Sequence, residues 1–105
     1  MKKGILIATG LLTSSNFVVA ADAQSADPSI GRDLVEKQCA ACHRIEAGKQ
    51  SVAPSFMDIS RMPSTTELSI KVFLRTSHPR MPNIILSPEE IDSVASYIVG
   101  LKGKK

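Results

Sequence analysis

The chain's only two cysteines stand as Cys39-Ala40-Ala41-Cys42, with His43 directly behind them. Cysteines three apart on a helical turn project from neighbouring positions, so both sulfurs can reach two vinyl groups along one side of a porphyrin. The adjacent imidazole then turns toward the iron. C-x-x-C-H is the signature of c-type haem attachment: two thioethers make the cofactor irremovable, and the same spacing fixes one iron ligand. Three other readings compete for these residues. A structural zinc site wants four protein ligands, and Cys39, Cys42 and His43 leave His78 as the obvious fourth. A thioredoxin-like C-x-x-C expects a βαβ surround, which this sequence lacks. A Cys39–Cys42 disulfide would close too small a loop to stabilise much.

The sequence ahead of the motif supports haem attachment. Lys2 and Lys3 precede an apolar run, Ile5 to Leu12, broken by Thr9 and Gly10; Phe17 to Ala21 is apolar again, and Ala21-Asp22-Ala23 is small. This is the order of a secretory signal peptide. Thr13 to Asn16 interrupt the run, so it falls short of the roughly 20 residues that a membrane span needs. Residues 1–23 are therefore expected to be a cleaved leader and 24–105 a single haem domain, placed in the periplasm.

That domain is about 39% apolar, with Phe56, Phe73 and Tyr97 as its aromatics. It sits near the size below which a protein core alone supplies only a few kcal/mol and a staple is needed. The whole chain carries +3, and the basic residues are scattered apart from Lys102, Lys104 and Lys105. With no basic stripe and few aromatics, nucleic acid is excluded as a partner. Internal repeats and low-complexity tracts are absent.

The pattern is all-α, with three main helices and long loops. Ile30, Leu34 and Val35 recur at helical spacing from Ser29, predicting a helix up to about Cys42. Gly31 lies inside it, where glycine costs up to about 1 kcal/mol relative to alanine, so either the helix frays there or another backbone comes close. Ile45 to Pro63 holds Gly48, Pro54 and Pro63 without a sustained period and reads as mostly loop. Ser64-Thr65-Thr66-Glu67 has the S/T-x-x-E form of a capping box, predicting a second helix with Leu68, Ile70, Val72, Phe73 and Leu74, stopped by Pro79. Ser87-Pro88-Glu89-Glu90 combines an N-cap serine, proline at the first helical position and a capping glutamate. Behind it Ile91, Val94, Ala95, Ile98 and Leu101 form an amphipathic stripe ending near Gly103.

A second axial ligand has to come from elsewhere. Met57, Met62 and Met81 are the thioether candidates, with His78 as the nitrogen alternative. Met81 lies in His78-Pro79-Arg80-Met81-Pro82-Asn83, where two prolines restrict the backbone. A stiff loop suits a weak sulfur ligand, whereas a methionine filling core more often lies on a helix face. Met57 and Met62 are read as packing, and His78 stays open as a ligand.

With these residues in view, the sequence resembles the class I cytochrome c family, in particular small bacterial monohaem periplasmic cytochromes, over essentially all of residues 29–102. Gly31, eight residues before Cys39, looks like the family's N-terminal helix glycine, which implies close approach to the C-terminal helix near Val94 and Tyr97. Pro54, eleven residues after His43, looks like the family's proline whose carbonyl accepts the other ring N–H of the ligand histidine. Met81-Pro82 looks like the family's methionine-ligand loop. Val35 departs from the family, standing where an aromatic is usual. The stretch from Pro54 to Met81 is shorter than in mitochondrial members, and no tryptophan is available to bond a propionate.

The expectation is a periplasmic electron carrier with one covalent haem c, its iron bound by His43 and Met81 and cycling between ferric and ferrous; it does no bond-making chemistry. Its partners would be redox proteins, a periplasmic dehydrogenase, oxidase or reductase, with membrane contact only through such complexes. Arg44, Lys49, Arg61, Lys71, Arg75 and Arg80 could steer an acidic partner, or be ordinary solvated charges. Two alternatives remain. One is a haem subunit held by a periplasmic dehydrogenase, such as a sulfite-oxidising enzyme, which the apolar run Ile84-Ile85-Leu86 keeps open. The other is a gas-binding or peroxidatic haem protein in which Met81 is off the iron.

Overall fold

The computed structural model describes residues 4–5, 10–11, 26–48 and 51–105. The expected leader, 1–23, lies outside the described residues except for Gly4, Ile5, Gly10 and Leu11. The described residues form helices α1 (Pro28–Gln38), α2 (Phe56–Arg61), α3 (Glu67–Leu74) and α4 (Pro88–Gly100), and a 3₁₀ turn, Leu101–Gly103, extends α4. No strand is present among them. Two isolated bridges, His43 with Ala53 and His78 with Met81, tie the loops.

α4 is the hub, packing on α1, α2 and α3. It forms where the sequence predicts: the Ser87 hydroxyl accepts from Glu90 N–H, the Glu90 carboxylate accepts from Ser87 N–H at 2.7 Å, and Pro88 opens the helix. Its stripe, Ile91, Val94, Ala95, Ile98 and Leu101, is buried throughout. Against it sit Val35 of α1, Phe56 of α2 and Ile70 of α3.

α1 crosses α4 at Gly31. A Cβ there would lie 2.0 Å from the Ser93 carbonyl oxygen and 2.9 Å from Tyr97 Cβ, so only a bare α-carbon lets the helices meet this closely. The approach buries Val35 and Ala95 completely, at 0% exposure each. Asp27 caps α1, its carboxylate accepting from Ser29 N–H at 2.8 Å and Ser29 O–H at 2.7 Å, while its own N–H reaches Ser93 Oγ. The side-chain bond from Ser29, and then the backbone one, hold the Asp27 carboxyl below its ordinary value. A depressed folded-state pKa contributes stability above the unfolded value, near 3.8, and loses it as pH falls through the folded pKa. Asparagine caps equally well without the charge. Asp27→Asn should therefore unfold at the wild-type urea midpoint at pH 7 and show a shallower decline toward pH 3 than wild type; parallel acid limbs would contradict this.

Four details differ from the sequence expectation. The described residues form four helices rather than three main ones, because α2 occupies part of the segment read as mostly loop. Ser55 caps it by accepting from Asp58 N–H, and Phe56 and Ser60 are buried. α3 starts two residues later than the Ser64/Glu67 pairing implied: Thr66 is the N-cap and Ser69 the reciprocal partner, with Ser69 Oγ also donating to Ser64 O. α1 ends at Gln38: Cys39 N–H still donates to Val35 O, but Ala40 N–H reaches back five residues to the same carbonyl, and the chain continues as irregular turns. Met62, read as packing, is 43% exposed at the C-cap of α2, whereas Met57 packs against the core. Lys71 bridges α3 to Asp92 of α4 at 3.1 Å.

Candidate haem site

The Cys39–His43 segment winds off the end of α1 in consecutive turns, with Cys39 N–H donating to Val35 O, and both Cys42 N–H and His43 N–H donating to Cys39 O. The two sulfurs are therefore carried one turn apart on a stiff stem. The two cysteines form no disulfide with each other; Cys39 is half-buried and Cys42 exposed. Burial pushes the Cys39 thiol up.

His43 is held by chain pairing. Ala53 N–H donates to Cys42 O, Phe56 N–H to Arg44 O and Met57 N–H to Ile45 O. This lays residues 53–57 alongside 42–45. Pro54 sits within that pairing with no N–H to give, and its carbonyl turns to the histidine: His43 Nδ1 is 2.7 Å from Pro54 O. A carbonyl only accepts, so Nδ1 carries the proton and Nε2 has its lone pair free for a metal. Phe56 backs the ring, with centroids 4.9 Å apart.

Met81 is half-buried. It lines a cleft of about 220 Å³ with Phe73, Leu74, His78, Pro82 and Ile84. That cleft is walled by residues 73–84 alone, so Met81 and His78 are brought together, while Cys39, Cys42, His43 and Pro54 form a separate group. His78 is the residue whose place the sequence left least defined. Its Nε2 lies 3.0 Å from both Phe73 O and Thr76 Oγ1, so that nitrogen is already occupied.

The apolar surface around these groups fits a large flat apolar cofactor. Leu68, Val72 and Phe73 on α3 are 71%, 54% and 45% exposed, and Val52, beside the His43 pairing, is 90% exposed. α3 packs on α4 through Ile70 yet leaves these three apolar side chains largely uncovered on its other side, and exposed apolar surface of this kind marks a binding face. Two neighbouring cysteine sulfurs, one imidazole with a fixed tautomer and a thioether would suit haem c, and they are too few for a closed zinc site. Among the described residues no group of three or more His, Cys, Asp or Glu could hold a metal ion.

A family described as cytochrome c oxidase, cbb3-type, subunit III matches residues 26–98. The chain belongs to the class I c-type cytochromes. This cytochrome is 36% identical over 104 residues to cytochrome c-552 of Bradyrhizobium diazoefficiens, an alignment that spans 95% of this chain and 94% of that relative. No solved structure gives a significant match. The cytochrome is an electron-transfer haem protein with covalently attached haem c and its iron, and redox proteins are its partners.

Proposed function

We propose that the mature chain, residues 24–105 after loss of a leader at 1–23, is a periplasmic electron carrier. Its haem hangs on Cys39 and Cys42, and its iron is bound by His43 on one side and Met81 on the other. The observation that carries the reading is the 2.7 Å His43–Pro54 contact, which fixes the tautomer, aims Nε2 away from the loop and raises ligand basicity. When bound, the haem iron supplies one-electron chemistry; the polypeptide supplies burial, ligand rigidity and an exposed edge for transient docking. With both axial positions filled there is nowhere for a substrate, which separates a carrier from an enzyme. His78 is the poorer rival to Met81 because its whole ring is engaged at the end of α3, its edge on Phe73 O and its face stacked on the Phe73 ring.

Absorption spectroscopy tests the ligand set. The ferric protein should show the weak near-infrared band of methionine-to-iron charge transfer, and the ferrous protein should resist carbon monoxide. Met81→Ala should abolish the band, bind carbon monoxide rapidly and lower the reduction potential by on the order of 0.1 V or more. An unchanged spectrum would remove Met81 from the iron. Fast carbon monoxide binding by wild type would favour the gas-binding or peroxidatic reading instead.

One observation favours a second reading, a haem subunit held by a larger periplasmic oxidoreductase such as a dehydrogenase. Ile85, in the Ile84-Ile85-Leu86 run, is 94% exposed. Native holoprotein from periplasmic extract eluting at the mass of a lone chain supports the carrier; co-elution with a large subunit supports the second reading.

A further inference from the structure

α3 ends at Leu74, and its last carbonyls need donors from outside the helix. Thr76 supplies some: its N–H reaches Phe73 O at 3.2 Å and its hydroxyl lies 3.1 Å from both Val72 O and Phe73 O. The His78 side chain supplies another, with Nε2 3.0 Å from Phe73 O. Because a carbonyl only accepts, that nitrogen carries the proton. The same imidazole lies flat on the Phe73 ring, centroids 3.5 Å apart and planes 8° from parallel. One residue thus closes back onto the helix end through both its ring face and its ring edge.

The His78 backbone then starts the turn that carries Met81. Met81 N–H points to His78 O at 3.4 Å, the two residues form an isolated bridge, and Pro79 takes the second position of the turn, where its fixed φ is favoured. Pro82 stiffens the exit. Pro79, Arg80, Pro82 and Asn83 are exposed, Met81 and Ile84 are half-buried, and the next anchor on the core is Leu86. α3 itself is fixed to α4 through buried Ile70 and the Lys71–Asp92 bridge.

We infer that His78 is the positioning residue for Met81: its ring clasps the C-terminal end of α3 and so sets where the methionine turn sits. The inference rests on Met81 being the iron's second ligand. Without the clasp, the turn keeps its prolines but loses its registration on the helix, and the population in which Met81 is off the iron rises.

Ferric holoprotein titrated with imidazole reads that population, because an exogenous ligand binds only the open form and its apparent affinity scales with the open fraction. His78→Ala should bind imidazole about tenfold more tightly than wild type, and its near-infrared band should fade at lower temperature, ahead of the loss of helical circular dichroism. His78→Gln, whose amide N–H can reach the Phe73 carbonyl without stacking as a ring does, should fall between the two. Wild-type imidazole affinity in His78→Ala would overturn the inference. So would a His78→Gln protein as open as His78→Ala, which would remove the effect from the Nε2 hydrogen, or helical signal lost together with the band in both variants. A near-infrared band that survives Met81→Ala would instead sink the ligand assignment on which the inference stands, and a wild-type ferric spectrum of two nitrogen ligands that changes in His78→Ala would make His78 a ligand and overturn both.

Discussion

Replacing both haem-bearing thiols, Cys39→Ser with Cys42→Ser, should leave a chain with no fixed tertiary structure: residual far-ultraviolet helix signal, collapsed near-ultraviolet signal and no cooperative thermal transition. The reason lies in what the protein core can bury unaided. Val35, Phe56, Ile70, Val94, Ala95, Tyr97, Ile98 and Leu101 make one small cluster centred on α4. Outside it Leu68, Val72 and Phe73 stay largely exposed on α3 and Val52 on the loop beside His43. A chain of this size yields only a few kcal/mol from such a core, and when a cofactor is the packing partner its binding free energy becomes folding free energy. The single variants should differ in degree, since either remaining cysteine can still tether the haem. A sharp unfolding transition in the haem-free double variant would show that the polypeptide core suffices.

The second large effect is Gly31→Ala. In an ordinary exposed helix this change stabilises by up to about 1 kcal/mol, and here the sign reverses. The added Cβ would stand 2.0 Å from the Ser93 carbonyl oxygen and 2.5 Å from its carbon, both backbone atoms that cannot swing aside. The helices must part, which opens the seam that buries Val35, Val94 and Ala95. Overpacking of this kind costs typically 1–3 kcal/mol, and the severity of the overlap places it at about 3 kcal/mol, or a drop of roughly 12 °C or more in Tm for a domain this small. Gly100 is the internal control: nothing lies within 4 Å of a Cβ placed there, so Gly100→Ala should match or exceed wild-type stability. Equal thermal midpoints for the two variants would contradict the close crossing of α1 and α4.

Features carried by one short run of residues were legible before folding. Ser87, Pro88 and Glu90 announce α4 because cap, proline and reciprocal carboxylate sit within four residues, and its stripe is long enough to show a period. Gly31 stands out as misplaced in a helix, and the resemblance to cytochromes points to α4 and to Tyr97, though not to the Ser93 backbone that lies closest. α2 escaped because six residues are too few for periodicity; Ser55 followed by Asp58 was the one available signal. The start of α3 was displaced because two overlapping serine and threonine patterns compete there, and a hydroxyl, Ser69, completes the box where a carboxylate was expected. In the candidate site, the cysteine spacing is local and so readable. The His43–Pro54 contact depends on residues 53–57 lying down beside 42–45, and the His78–Phe73 stack depends on α3 stopping at Leu74. Neither pairing follows from spacing alone.

The crossing of α1 and α4 also bears on the order of events in the life of the chain. Asp27 bonds to Ser93, and Val35 packs in one cluster with Val94 and Ala95, so the seam joins the start of the domain to its end. A polypeptide that has emerged only as far as Pro82 already holds Cys39, Cys42, His43, Pro54 and Met81, yet has nothing to cover Val35. Until α4 has emerged, the helix that leads into the cysteine turn has no partner to pack on, so α1 can dock only once the last helix is present.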